Sequence, residues 1–358
     1  MGVQLPPSAE PAAIDSCFII PEEHRPKTAH NEYISSRGEE VPVIDLEHLR
    51  SEDDGRRRRA IAAIGDACEH WGFFQVTNHG VPPALIDEVK AQARRFFELP
   101  LEEKRRVRRT FENVYGYYES ELTKNVRDWK ELFDYGPKPR PDLRDDAPEN
   151  VTLDGHNQWP EAPPGFRATM ENWFSAMERL GRDVLHGISA SLGLPPTEFD
   201  PHYANHSSFV RLNYYRPCPN PALTLGVNRH YDAGALTIVG QDGEVGGLQV
   251  QKGGEWVGIE PRRDAFVINI GDMMQVWSNG KYKSPLHRVV VNESRARFSV
   301  PFFYNPAYST DVAPVPQLLS AGQQPAYRPI NWGDFRSKRA KGDYADFGEE
   351  VQIAHYAL

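Results

Sequence analysis

In the stretch NRHYDAGALTIV (228–239), an imidazole and a carboxylate, His230 and Asp232, stand two residues apart just ahead of an apolar, β-branched run. On a strand, residues i and i+2 share a face, so both side chains would be presented together. An isolated H-x-D is more often a hydrogen-bonded pair at a strand edge than a site. Other residues of the chain change that weighing. His287 opens a second β-branched run, HRVVVN. Asn213 and Tyr215 share one strand face, with Arg211 a step earlier, and Arg297 and Ser299 share another. Two neutral imidazoles and one carboxylate on the same side of a metal form the facial triad that suits non-haem Fe(II) and leaves coordination positions open. A His₂-carboxylate set also serves catalytic zinc, and the triad alone does not choose.

The pair Arg297 and Ser299 discriminates further. A guanidinium inside a barrel is costly unless it is paired. Its planar fork matches a carboxylate, and a hydroxyl two residues on can donate a further hydrogen bond. Together with Tyr215 they read as a receptor for the distal carboxylate of a dicarboxylate. A lone R-x-S would be a surface arginine facing an acid. After H-x-D…H, and leading into the apolar VPFFY, the receptor is the better reading. His202 and His206, four apart, could pair on a helix face, but they lack the acid signature of a zincin and are placed off the site. His79, in TNHGV, reads as structural.

These side chains need strands to carry them. From about residue 207, short runs such as SSFVRLNYY, ALTIVGQ, GGLQVQ, AFVINI and RFSVPFFY alternate with turn signals, among them Asp242-Gly243, Gly253-Gly254 and Asn279-Gly280. The front half reads as helices around two short strands, VPVIDL and WGFFQVTNHGV. Its longest helix carries Met170, Trp173, Met177, Leu180, Val184, Ile188 and Leu192 at three- and four-residue steps and stops at Gly193 and Pro195. The expected fold class is α+β: a double-stranded β-helix, or jelly roll, with supporting helices mostly from the N-terminal half. We read 1–358 as a single domain. It comprises a flexible arm (1–40), a helix-rich region (41–206), a jelly-roll core with the metal site (207–310) and a C-terminal segment (311–358). The Pro- and Asp-rich stretch 136–165 reads as a long excursion.

Composition narrows the partners. The net charge of −9 gives no bulk attraction to nucleic acid or anionic lipid. The basic runs Arg56–Arg59 and Lys104–Arg109 lie beside acids and read as solvated helix surface. No stretch reaches the length of a membrane span. Three cysteines without a C-x-x-C pair suit a reducing, cytoplasmic setting.

The ordered set NYYRPCP (213–219), HYD (230–232), GGLQV (246–250), SNGKYKSPLHR (278–288) and RFS (297–299) resembles the plant-type 2-oxoglutarate- and Fe(II)-dependent dioxygenases, which share the isopenicillin-N-synthase-like fold. VPVIDL, WGFFQVTNHGV and FFELPLEEK resemble that family's N-terminal region, so the likeness spans roughly residues 40–310. It implies that His230, Asp232 and His287 bind iron, that Arg297 and Ser299 hold the 2-oxoglutarate carboxylate, and that Tyr215 and Asn213 assist. It also implies that Arg211, Phe303 and Asn305 line the substrate pocket. Tyr115 and Phe133, in an aromatic stretch, are candidates for its rim. Tyr231 and Arg216 depart from the family's usual residues, although neither belongs to the triad.

The expected reaction is oxidation, by default hydroxylation, of a small, largely apolar or aromatic metabolite by a monomer of secondary metabolism. O₂ and 2-oxoglutarate are consumed, succinate and CO₂ are released, and ascorbate supports activity. Two alternatives stay open at this point. One is a 2-oxoglutarate-independent iron oxidase of the same fold; the other is a non-oxidative metal-dependent hydrolase or binding protein.

Overall fold

The structure is a computed structural model that describes residues 14–26, 33, 35–137, 154–320, 322–342 and 351–358. Its strands are β1 (Val43–Asp45), β2 (Phe73–Thr77), β3 (Gly116–Tyr118), β4 (Leu122–Thr123), β5 (Val126–Arg127), β6 (Glu131–Tyr135), β7 (Phe209–Tyr215) and β8 (Val227–His230). They continue with β9 (Leu236–Gln241), β10 (Leu248–Lys252), β11 (Glu255–Gly258), β12 (Phe266–Ile270), β13 (His287–Val289), β14 (Arg297–Tyr304), β15 (Asp311–Val312) and β16 (Ile330–Asn331). The helices are α1 (Asp54–His70), α2 (Pro83–Phe97), α3 (Leu101–Arg105), α4 (Phe166–Ser191), α5 (Asp272–Trp277) and α6 (Trp332–Gly342).

A major sheet in the order β1-β2-β12-β9-β14-β7-β6-β3 faces a minor sheet β11-β10-β13-β8. Pairing is antiparallel throughout both, apart from β1 with β2. This is the jelly roll, with α1, α2 and α4 laid against the outside of the major sheet.

Strict alternation along the major-sheet strands separates two compartments. On β14, Phe298, Val300, Phe302 and Tyr304 enter the core beneath the helices, while Arg297, Ser299, Pro301 and Phe303 face the interior between the sheets. On β7, Val210 and Leu212 go outward to the helices; Phe209, Arg211, Asn213 and Tyr215 go inward. On β12, Phe266, Ile268 and Ile270 pack toward the helices, and Asn269 points the other way. Both faces are covered, so these strands read as nearly continuous apolar runs. The helix α4 supplies Trp173, against Phe266 at 5.7 Å, and Phe174, against Phe302 at 5.3 Å. It ends before Gly193, whose φ of +80° suits a left-handed cap. Gly253 and Gly254, with φ of 58° and 88°, make the tight turn between β10 and β11.

Four details differ from expectation. Residues 14–26 of the supposed arm are docked, with Phe18 and Ile20 buried, because their apolar side chains find cover against the barrel. The jelly roll extends beyond 207–310: β3 and β6, read as helix-rich territory, complete the edge of the major sheet. In Lys104–Arg109, Lys104 and Arg109 are buried and paired with Glu131, Glu121 and Asp134, whereas Arg105, Arg106 and Arg108 are the solvated members. Finally, the C-terminal segment contains α6, which closes over the cavity mouth. Of the excursion 136–165, residues 138–153 lie outside those described. All three cysteines are free. Among the described residues no helix is long and apolar enough to cross a membrane.

Candidate metal and cosubstrate site

A cavity of about 820 Å³ opens between the two sheets. His230 ends β8 and faces His287, the first residue of β13, as a direct cross-strand pair, with ring centroids 4.2 Å apart. Asp232 follows β8 in the turn into β9 and is 7% exposed. Its Oδ1 lies 3.5 Å from His230 Nε2 and 3.6 Å from His287 Nε2. One potential ligand atom from each residue converges within 4.8 Å, and no other such cluster occurs among the described residues.

The surroundings orient these atoms for a cation. His230 Nδ1 lies 2.8 Å from the Asn228 carbonyl, and His287 Nδ1 lies 3.1 Å from that of Pro285. A carbonyl accepts only, so each Nδ1 carries the proton and each Nε2 presents a lone pair to the centre. Asp232 Oδ2 accepts from Thr237 Oγ1 at 2.5 Å and Asn269 Nδ2 at 2.8 Å, which leaves Oδ1 for the centre. Burial, aided by the nearby His230, pushes the His287 imidazole down to about 4, keeping it neutral. Burial alone would raise the Asp232 carboxyl, but the two imidazoles and Asn269 outweigh it and hold it below the usual carboxylate range. Two neutral nitrogens and one charged oxygen fit Fe(II). The loop carrying Asp232 is fastened to α5 by Asp272 N–H to Asp232 O (2.8 Å) and Met273 N–H to Gly234 O (2.9 Å). A Cβ at Gly271, just before α5, would strike the backbone carbonyl of Gly234, so glycine there lets the loop lie this close.

Deeper in the cavity, cross-strand register assembles the second set. Arg297 lies opposite Tyr215, and Ser299 lies opposite both Asn213 and Gln241. Arg297 is 2% exposed. Its Nη2 reaches Gln241 at 3.3 Å, whereas Nε and Nη1 are buried without a hydrogen-bond partner. Its guanidinium stands 5.1 Å from the Tyr215 ring centroid, and burial pulls its pKa down from the ordinary arginine value. Asn213 Nδ2 donates to Ser299 Oγ at 3.3 Å. A buried cation with two unused donors, beside a hydroxyl, has the chemistry of a carboxylate receptor.

Of the expected pocket residues, Arg211, Phe303 and Asn305 line the cavity, but Tyr115 and Phe133 do not. Phe133 is wholly buried in an aromatic cluster with Phe96 at 5.0 Å and Phe166 at 5.4 Å. Its partner in register is Leu212, on the face of β7 opposite to Arg211. Tyr115 is buried with its ring against Gly136. Both belong to the core because they alternate away from the cavity. His206 bonds Glu178 at 2.7 Å and His202 stacks near Trp277 at 5.5 Å, apart from the triad. His79 accepts from the Val81 N–H at 3.1 Å and packs on Phe266.

Sequence reasoning missed Thr237 and Asn269, and it missed a buried charge network under the pocket. Arg211 donates to both oxygens of Asp134 (2.8 and 2.9 Å) and to Glu121 at 2.9 Å. Arg109 bridges the same two acids, each at 3.1 Å. Lys130 meets Glu121 at 2.5 Å and Asp128 at 3.1 Å. Glu121 and Lys130 reach the cavity surface with Arg211.

Comparison with known proteins agrees with this geometry. Residues 41–162 match the family described as non-haem dioxygenase in morphine synthesis N-terminal, and residues 206–306 match the 2OG-Fe(II) oxygenase superfamily. Jasmonate-induced oxygenase 4 of Arabidopsis thaliana is 35% identical over 331 residues, covering 91% of this chain and 89% of its own. The chain belongs to the 2-oxoglutarate- and Fe(II)-dependent oxygenases. Flavone synthase of Petroselinum crispum is a further relative of this oxygenase, 36% identical over 83% of this chain and 78% of its own. The crystal structure of JOX2 in complex with 2OG, Fe and JA superimposes with a TM-score of 0.77 at 32% identity, covering 92% of this chain and 90% of that one. Fe(II) and 2-oxoglutarate are therefore its cofactor and cosubstrate, and the oxygenase is an oxidoreductase acting on a small metabolite. Of the two sequence departures, Arg216 is exposed and covers Trp129 at 4.5 Å, whereas Tyr231 stands between His230 and Asp232 and lines the cavity while partly exposed.

Proposed function

We propose that His230 Nε2, Asp232 Oδ1 and His287 Nε2 hold the Fe(II), and that Arg297 and Ser299, with Tyr215 and Asn213, hold the distal carboxylate of 2-oxoglutarate. The observation that carries this reading is the Arg297 guanidinium, buried in the triad's own cavity with two donors unused. When bound, the iron with 2-oxoglutarate and O₂ supplies the oxidising chemistry, and the cosubstrate leaves as succinate and CO₂. The chain's residues supply aim. Nδ1–H bonds to the Asn228 and Pro285 carbonyls fix both imidazoles. Thr237 and Asn269 fix the carboxylate, and Arg297 neutralises the incoming anion.

The substrate occupies the outer part of the cavity. Phe209, Pro301 and Phe303 give it an apolar wall that excludes water, and Arg211 and Asn305 offer polar contacts. This favours hydroxylation of a small, largely apolar or aromatic metabolite of secondary metabolism by a cytoplasmic monomer, with ascorbate supporting turnover. Support for a small organic substrate comes from the relatives, JOX2 in complex with JA and flavone synthase among them. The test is an anaerobic Fe(II) and 2-oxoglutarate titration followed by a metabolite panel scored by succinate release. Absence of 2-oxoglutarate binding by the iron-loaded protein would refute the site assignment.

A further inference from the structure

One wall of the cavity has an unusual support. The hairpin β4–β5 contributes Leu122, Thr123, Lys124 and Asn125 to the cavity lining, yet it forms a two-stranded sheet of its own, outside both large sheets. Its turn residues Lys124 and Asn125 have φ of 54° and 60°, a conformation non-glycine residues adopt at a cost. A lone two-stranded hairpin is marginally stable in water, so what packs on it decides where it sits.

On its inner side, Asn228 Nδ2 donates to Thr123 O at 3.2 Å and Thr123 Oγ1 donates to Asp128 at 2.8 Å. On its outer side lies the segment 14–26. Phe18 is 6% exposed. Its ring meets Trp129 edge-on at 4.8 Å and lies 4.8 Å from the Arg127 guanidinium. Ile20 is buried against Leu225 and Val290, with Val126 of the hairpin packed on the same cluster, and its N–H donates to Leu223 O at 2.9 Å. Phe18 shares its cluster with Tyr215, Val227, Leu248 and Val289, which line the cavity from the other side.

We infer that residues 14–26 are a strap that seats the hairpin 122–127 and thereby sets the outer wall of the substrate cavity. Phe18 and Arg127 act as positioning residues. The inference rests on the reading of this cavity as the substrate site. Phe18, edge-on to Trp129 and beneath the Arg127 guanidinium of the hairpin, links a segment remote in sequence to the wall that substrate must pass. Asn228 joins that wall to the strand carrying His230 without placing the strap on the metal.

Hydrogen-exchange mass spectrometry of the full-length protein tests this, comparing the parent with Phe18→Ala, Phe18→Tyr and Glu23→Ala. Loss of the ring in Phe18→Ala should speed exchange of amides in 121–127 by at least about 10-fold. Peptides 166–191 and 298–304, whose buried side chains belong to the separate core beneath the helices, should keep the parent rate. Phe18→Tyr should restore the parent hairpin, and Glu23→Ala, on the exposed side of the strap, should never disturb it. Unchanged exchange in 121–127 would overturn the inference, as would a uniform acceleration of all peptides. The comparison stands in metal-free protein as well, so failure of the parent to bind 2-oxoglutarate would strike the functional assignment and not the strap.

Discussion

Changing Arg297 to Gln separates cosubstrate binding from metal binding. The substitution keeps length and some hydrogen bonding but removes the charge and the fork. Arg297 is 2% exposed, and two of its donors have no hydrogen-bond partner among the described residues, so a bound carboxylate would rely on them. Removing one partner of such a buried pair costs about 3–5 kcal/mol. Rescue by Ser299, Tyr215 and water can trim this to roughly 2 kcal/mol. At about 1.4 kcal/mol per decade, 2-oxoglutarate affinity should fall on the order of 30- to 4000-fold. Iron affinity should be unchanged, because Arg297 is no ligand. Stability should move the other way. Without 2-oxoglutarate the parent buries a cation set against neutral groups, the amide of Gln241 and the Tyr215 ring, so the ligand-free variant should melt at or above the parent temperature. Anaerobic titration and thermal melts with and without 2-oxoglutarate read both effects. Unchanged 2-oxoglutarate affinity combined with lost binding of the organic substrate would make Arg297 a substrate anchor and refute the reasoning.

His230→Ala, Asp232→Ala and His287→Ala should each abolish turnover and strip iron from a folded chain, whereas His202→Ala and His206→Ala leave both within a few-fold; metal analysis of purified variants decides. Asn269→Leu removes one of two bonds that orient the Asp232 carboxylate and should weaken iron binding by about 10- to 100-fold, read by competition with a chelator. Arg211→Leu removes one of the two guanidinium groups that bridge Asp134 and Glu121 and leaves the buried network one positive charge short. It should destabilise the protein by about 3–5 kcal/mol, visible in denaturant melts, and a stability loss under about 1 kcal/mol would mean that Arg109 and Lys130 neutralise those acids unaided.

Part of the candidate site was legible because period-two alternation survives folding on β7 and β14. Asn213 with Tyr215 and Arg297 with Ser299 come to lie opposite one another on neighbouring strands, whereas Asp232 meets His230 from the turn after β8 and not from a shared strand face. Asn269 offered a signal that went unused: it is the one polar residue in FVINI, an otherwise apolar strand. Thr237 offered none, since a threonine in a β-branched run looks like strand propensity. The Arg211 network was invisible because its partners lie 77 and 90 residues away in sequence, and a charged stretch such as Glu119–Lys130 reads as surface until its partners are known. Phe133 misled for the opposite reason. Its aromatic neighbours suggested a pocket, and only the register with Leu212 reveals which face it occupies.

The cavity draws its two halves from unlike parts of the chain. The oxidising half sits mostly on β7, β13 and β14, each paired along both edges, where a one-residue slip would turn every side chain around. The outer half borrows from a small hairpin and from the inner side of α6, where Trp332, Arg336 and Arg339 reach the mouth. Insertions or exchanges in those peripheral pieces can accumulate without disturbing a single strand pair of the core. A duplicated copy of such a gene can therefore explore new substrates while still competent to oxidise, never passing through a dead ancestor.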